Sequence, residues 1–275
     1  MPDYECFDVE LGGQVAHLRL NRPEALNTMT RAFWRELPDI IGDMVGGARA
    51  QCVVISSTGR HFSAGMDLAV LTSDQEPFGD DPAIRAERFR HEVRLLQDAF
   101  TCLDEARIPV LAAIQGGCIG GAVDMTSACD IRYATRDAFF CIQEINIAMT
   151  ADVGTFPRLC MLIPEGQVRE LAFTGRRLTA ERAKAIGLVN EVFDTQEAML
   201  EHVLAIAREI AARAPLAITG SKAMINYARD HSLQDGLDQV ALWNAAVISP
   251  AQMQEAMQAA REKRAPRLPD LLPMP

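Results

Sequence analysis

The apolar run PVLAAI at residues 109–114 leads directly into the glycines of QGGCIGG, and the helix-compatible run AVDMTSAC follows at once. A buried strand that must end, turn within a few residues and start a helix leaves the chain few ways to fold. Glycine supplies the backbone angles such a turn requires. Gly116, Gly117, Gly120 and Gly121 therefore predict a tight strand-to-helix turn whose first N–H groups are free to hold an anionic oxygen. Glycines in a turn of this kind also serve close packing alone, and the residues by themselves leave both uses open. The spacing does not satisfy G-x-G-x-x-G and no G-K-[ST] follows, so neither a dinucleotide nor a P-loop phosphate site is expected.

The same alternation of strand and helix signals runs along most of the chain. Residues 13–20 read as an edge strand entering the turn NRPEALN, CVVISS at 52–57 as a buried strand, and IRYAT and AFFCI as two more. Short strands separated by helices predict an α/β fold with parallel pairing. Over residues 83–105, Phe89, Val93, Leu96, Phe100 and Leu103 recur at spacings of four and three, which puts them on one face of a helix. From about Ala198 only helical patterns remain. They include a helix that Pro215 can open, and a proline-rich tail, residues 266–275, expected to be extended. At 275 residues and 49% hydrophobic, the chain has material for a sizeable core in one large or two modest domains.

Charge and cysteine usage narrow the class of partner. The net charge is −10 with no basic block, so nucleic acid is not an expected partner. The longest uncharged apolar stretch, residues 108–123, is too short for a membrane span and is interrupted by four glycines. Seven cysteines without C-x-x-C pairing suggest reduced core thiols, and no HExxH or Cys/His cluster suggests a metal. The acidic N-terminus resembles neither a signal nor a transit peptide, so the cytoplasm is the expected compartment.

A second strand-to-helix turn is HFSAGMDL, residues 61–68. Gly65 would leave the Met66 N–H pointing outward, while Asp67 reads as a helix cap. If the two turns lie side by side, their N–H groups form a two-donor oxyanion hole. Three acids stand in largely uncharged surroundings: Asp124, one helical turn after Gly121, then Glu144 and Asp152. Each also has a plainer use. Asp124 could cap or pair locally, Glu144 could meet a surface arginine, and Asp152 could cap a helix starting at Val153. His17 and His61 read as core or surface residues.

Taken together, NRPEALN, HFSAGMDL, IQGGCIGGAVD, ACDIRYAT and FFCIQEINIAMTADVGTFPRL resemble the crotonase (enoyl-CoA hydratase/isomerase) superfamily, over about residues 7–264. Within it, Asp124, Glu144 and Asp152 match the pattern of the dienoyl-CoA isomerases. The resemblance implies a crotonase-type spiral of ββα units over residues 1–197. It also implies a C-terminal helical trimerisation region over 198–275, with homotrimers that pair into hexamers. It places the oxyanion hole at the N–H groups of Met66 and Gly121. Contacts to coenzyme A are implied at Ala25, Ala64, Gly65, Met66, Gly120 and Gly121, with Lys222 as a candidate phosphate contact. An acyl-CoA thioester is then the substrate, and no further cofactor is expected.

The implied chemistry moves two double bonds. Asp152 takes a proton from C2 of a 3,5-dienoyl thioester, Glu144 returns one at C6, and Asp124 supports their protonation and orientation. Carboxylates about 5 Å apart at an effective dielectric near 20 repel by roughly 3 kcal/mol, so one of a pair stays protonated near neutrality. Hydratases of this superfamily hold glutamates at the first two acid positions, which makes enoyl-CoA hydration the alternative activity. An acyl-CoA-binding or RNA-binding scaffold without catalysis is the alternative of another class. Three acids in one apolar pocket would be needlessly costly for a mere binder.

Overall fold

The computed structural model describes residues 3–72 and 81–274. Its strands are β1 (Phe7–Gly12), β2 (Val15–Leu20), β3 (Cys52–Ser57), β4 (Val110–Ile114), β5 (Gly117–Ile119), β6 (Ile131–Thr135), β7 (Phe139–Cys141), β8 (Leu178–Thr179) and β9 (Glu191–Phe193). Its helices are α1 (Arg31–Ile41), α2 (Leu68–Thr72), α3 (Pro82–Glu105), α4 (Gly121–Ser127), α5 (Thr155–Leu162) and α6 (Glu165–Thr174). They continue with α7 (Ala180–Ala185), α8 (Gln196–Ala211), α9 (Pro215–Tyr227), α10 (Leu233–Val247) and α11 (Pro250–Glu262).

The larger sheet has the order β1-β2-β3-β4-β6-β9 and the smaller β5-β7-β8. Apart from the β1–β2 hairpin, every pairing in the larger sheet is parallel, as the strand-helix alternation predicts. The chain steps from β4 in one sheet to β5 in the other, and again from β6 to β7. Each step with its following helix is one ββα unit, and the units wind as a spiral.

Alternate residues explain why β3 and β4 are apolar throughout. Val53, Ile55, Val110, Ala112 and Ile114 face a main core, whereas Cys52, Val54, Leu111 and Ala113 face a second. Both faces are covered, so no polar alternation survives. The second core is closed by Met199, Val203, Ala207 and Ala211, four residues apart along one face of α8. This helix, which the sequence groups with the C-terminal helical region, packs against the sheet.

Three expectations need adjustment. Strand β2 has neighbours on both sides, and the edge is β1, where Phe7, Val9 and Leu11 turn inward between exposed Asp8 and Glu10. Those acids conceal the strand from a search for apolar runs. On α3, Phe100 and Leu103 are buried but Phe89 is 52% exposed, so the apolar face continues past the core that this chain supplies. The tail has no regular structure, as expected, yet it is held down by Gln14 to Asp270, Arg107 to the Leu272 carbonyl, and the Met274 N–H to the Gly46 carbonyl. Among the described residues no helix is long and apolar enough to cross a membrane.

Candidate active site

Three loops meet at the end of the spiral, and hydrogen bonds set their order. Asn27 sits at φ 52°, a left-handed conformation that asparagine tolerates. Its amide donates to the Thr58 and His61 carbonyls and accepts from the Arg22 N–H. The turn NRPEALN is thereby fastened to the loop after β3. The Ala64 N–H then donates to the Leu26 carbonyl and the Met29 N–H to the Gly65 carbonyl, which brings the segment of Ala25 beside Ala64 and Met66. On its other side the same loop pairs with the glycine turn through Phe62 to Gln115, Ser63 to Gly117 and Ile119 to Ser63. His61 has a local task there, its Nδ1 accepting the Gly117 N–H at 2.9 Å.

The two strand-to-helix turns therefore lie side by side. Gly65 has φ +84°, and a Cβ on it would stand 2.5 Å from the Ile119 carbonyl oxygen and 3.1 Å from the Gly121 nitrogen. A Cβ on Gly121 would lie 3.7 Å from the Met66 nitrogen. Flanking bonds engage the Gly65 carbonyl and the Asp67 N–H, and Gly120 donates to Cys141. Among the described residues, the N–H groups of Met66 and Gly121 have no acceptor. Asp67 caps the following helix, its carboxylate accepting the Ala69 N–H.

The acids arrive from three separate segments. Helix α4 is buried along its whole length, and Asp124 on it is 1% exposed. One carboxylate oxygen of Asp124 accepts both the N–H and the hydroxyl of Thr155, at 2.6 and 2.7 Å. Glu144 opens a short 3-10 turn after β7, and a Cβ on Gly120 would come within 3.2 Å of its Oε1. Gly120 at φ +55° thus both makes the turn and gives this carboxyl room. The other oxygen of Glu144 is buried without a hydrogen-bond partner. Asp152 lies between that turn and α5, where its carbonyl accepts Gln97 Nε2 at 2.6 Å. It faces a cleft of about 510 Å³ shared with Phe89, Val93 and Gln97 of α3.

Burial dominates the electrostatics. It raises Asp124 to about 6, against the two Thr155 bonds, and raises Glu144 to about 7, with the charge of Asp124 adding to the shift. Asp152 is also pushed up by burial, and its charge acts on both other acids. Near neutral pH such a set holds a protonated and an ionised carboxyl side by side, as proton transfer in both directions requires. The thiols of Cys118 and Cys129 are pushed up to about 12 by burial, so neither is a nucleophile. Among the described residues no group of three or more His, Cys, Asp or Glu could hold a metal.

One predicted contact does not stand. Lys222 is buried, and its ammonium donates to the Leu103 and Ile108 carbonyls and to Asp130. Three donors on three oxygens leave nothing for a phosphate. Asp152 does not cap α5 either: that helix starts at Thr155 after Gly154, and its first N–H is taken by Asp124. Thr155 and Asn27 are the functional positions that sequence reasoning passed over. Their signals were the threonine closing DVGT and the last residue of NRPEALN.

The enoyl-CoA hydratase/isomerase family model matches residues 10–270. A mouse protein named "Delta(3,5)-Delta(2,4)-dienoyl-CoA isomerase, mitochondrial" is 43% identical over 95% of this chain and 81% of its own length. An Arabidopsis thaliana protein of the same activity name, designated peroxisomal, is 39% identical over 98% of this chain and 99% of its own. Those organelle designations overturn the cytoplasmic expectation, because acidity near the N-terminus and composition do not encode a compartment. Among solved structures, an enoyl-CoA hydratase from Bacillus anthracis superposes with a TM-score of 0.85 at 30% identity, covering 96% of this chain and 99% of that one. With a spiral of ββα units, two adjacent free N–H groups and a family match across nearly its whole length, the chain belongs to the enoyl-CoA hydratase/isomerase family.

Proposed function

We propose that this chain isomerises 3,5-dienoyl-CoA to 2,4-dienoyl-CoA in the beta-oxidation of unsaturated fatty acids. The observation that supports the reading is the 43% identity to a protein named dienoyl-CoA isomerase, together with three acids, Asp124, Glu144 and Asp152, whose charges act on one another, and the adjacent N–H groups of Met66 and Gly121. The thioester oxygen binds between the two N–H groups, where each donor contributes on the order of 3 kcal/mol to the transition state. The Asp152 carboxylate removes the C2 proton, and the electron pair spreads from the thioester oxygen to C6 as a dienolate. Glu144 delivers its proton to C6, which leaves the conjugated 2,4-diene. Asp152 then holds the abstracted proton and Glu144 is ionised, and exchange resets the pair.

Coenzyme A is part of the substrate in this reading, and the chemistry calls for no separate cofactor. Ala25, Ala64, Gly65 and Gly120 bring bare backbone to the thioester side of the site. Thr155 commits one Asp124 oxygen to the protein rather than to a water, and an assay separates isomerisation from the alternative, hydration. The test is spectrophotometric. Supplied with a 3,5-dienoyl-CoA, the enzyme should produce the conjugated 2,4-dienoyl absorbance. Asp152→Asn should lower kcat roughly 10²- to 10⁴-fold, and unchanged turnover in that variant would rule out Asp152 as the base.

The assembly in this reading is a homotrimer, or a pair of trimers, built through the helices after α8. Leu233 is 82% exposed, Leu242 67% and Ile248 60%, more apolar surface than a lone chain ordinarily leaves in water.

A further inference from the structure

Asp124 and Glu144 compete for a proton, and the structure contains a device that decides the outcome. Thr155 spends both of its donors on one Asp124 oxygen, at 2.6 and 2.7 Å, although a hydroxyl and an N–H at the start of a helix could each find another acceptor. The preceding Gly154 has φ +127° and no side chain to cap α5, so the cap comes from Asp124 on α4. Hydrogen bonds to a carboxylate and the positive end of a helix both favour its ionised form. At Glu144 the backbone N–H groups of Gln143 and Glu144 itself also favour the anion, but its other oxygen is buried with no donor, and burial together with the charge of Asp124 outweighs them and favours the neutral acid. The other charges acting on Asp124 are Asp152 and, with the opposite sign, Arg158 on α5, while the nearby Cys118 thiol is neutral.

We propose that Thr155 is the positioning residue that fixes the proton inventory of the site: by holding Asp124 as the anion, it keeps the transferable proton on Glu144. This rests on the isomerase reading for its consequence in turnover, but the proton assignment stands independently of it. Without the Thr155 hydroxyl, Asp124 protonates at higher pH and the proton is shared with a group that does not reach C6.

Thr155→Val keeps the N–H and the shape and removes only the hydroxyl, and Thr155→Ser returns it. In Thr155→Val the acid limb of the kcat/KM profile should move up by about one pH unit, with KM for the dienoyl-CoA unchanged, and Ser should restore the limb. A uniform fall in kcat with the limb unmoved would assign Thr155 to packing alone and overturn the proposal. Infrared titration of the substrate-free enzyme, with carboxyl bands assigned through Asp124→Asn and Glu144→Gln, follows the same proton without turnover. The protonated band should belong to Glu144 in the parent enzyme and shift toward Asp124 in Thr155→Val; identical bands in both proteins would also overturn the proposal. Should the bands shift in an enzyme that leaves 3,5-dienoyl-CoA unconverted, the proton assignment holds and the isomerase reading alone fails.

Discussion

Glu144 illustrates how a single residue gives up stability for chemistry. Burial holds its folded pKa at about 7, against an ordinary 4.5. Between those values the folded protein keeps a proton that the unfolded chain has released, so stability falls as pH rises through that window and levels off above it. Glu144→Gln removes the dependence. At pH 8 the variant should be more stable than the parent by on the order of 2 kcal/mol, with the advantage gone at pH 4, as read by denaturant unfolding at both pH values. Equal pH slopes in the two proteins would mean that Glu144 titrates normally. Catalysis should respond in the same range, because the acid must hold its proton: the alkaline limb of the isomerase profile should lie near 7 and vanish, with most of the activity, in Glu144→Gln.

At the scale of elements, the most informative case is α9, pinned to the core by the buried Lys222–Asp130 pair at 2.7 Å. Asp130 also accepts the Val110 N–H at the entry to β4, so one carboxylate joins a C-terminal helix to a central strand. Removing the lysine leaves that carboxylate without its cation. Lys222→Met should therefore destabilise the fold by about 3 kcal/mol in thermal or chemical unfolding while leaving KM for acyl-CoA unchanged. A raised KM with normal stability would restore the phosphate role. A lysine midway along a helical pattern gives no hint of which it will be, because burial of its ammonium depends on carbonyls from residues 103 and 108. The strands β3 and β4 were legible because both-sided burial writes continuous apolar runs, and β6 and β7 because β-branched and aromatic residues dominate them. β1 was not, because an edge strand shows one face to water.

At the scale of the whole molecule, apolar side chains on α10 and just beyond it remain uncovered, with Leu237 56% exposed alongside Leu233 and Leu242. Burying such a face between copies contributes roughly 25 cal/mol per Å². A charge placed in it should reverse that gain. Leu242→Glu should shift the assembly from trimer or hexamer toward monomer in sedimentation equilibrium, with the parent chain as reference. A monomeric parent would remove the trimer from the account.

By itself the sequence determined the local grammar: which runs are strands, where glycine must turn the chain, and which three acids stand free of neighbouring cations. Those are properties of residues a few positions apart, set by side-chain periodicity and by the backbone angles only glycine adopts readily. Tertiary structure decided the rest, because it depends on groups distant in sequence. It laid the Gly65 turn against the Gly121 turn, buried Lys222 on two carbonyls and a carboxylate, and aimed Thr155 at Asp124 across 31 positions. The identity of a carboxyl is written in the chain, but its charge at a given pH follows from the water it loses and the donors it meets on folding.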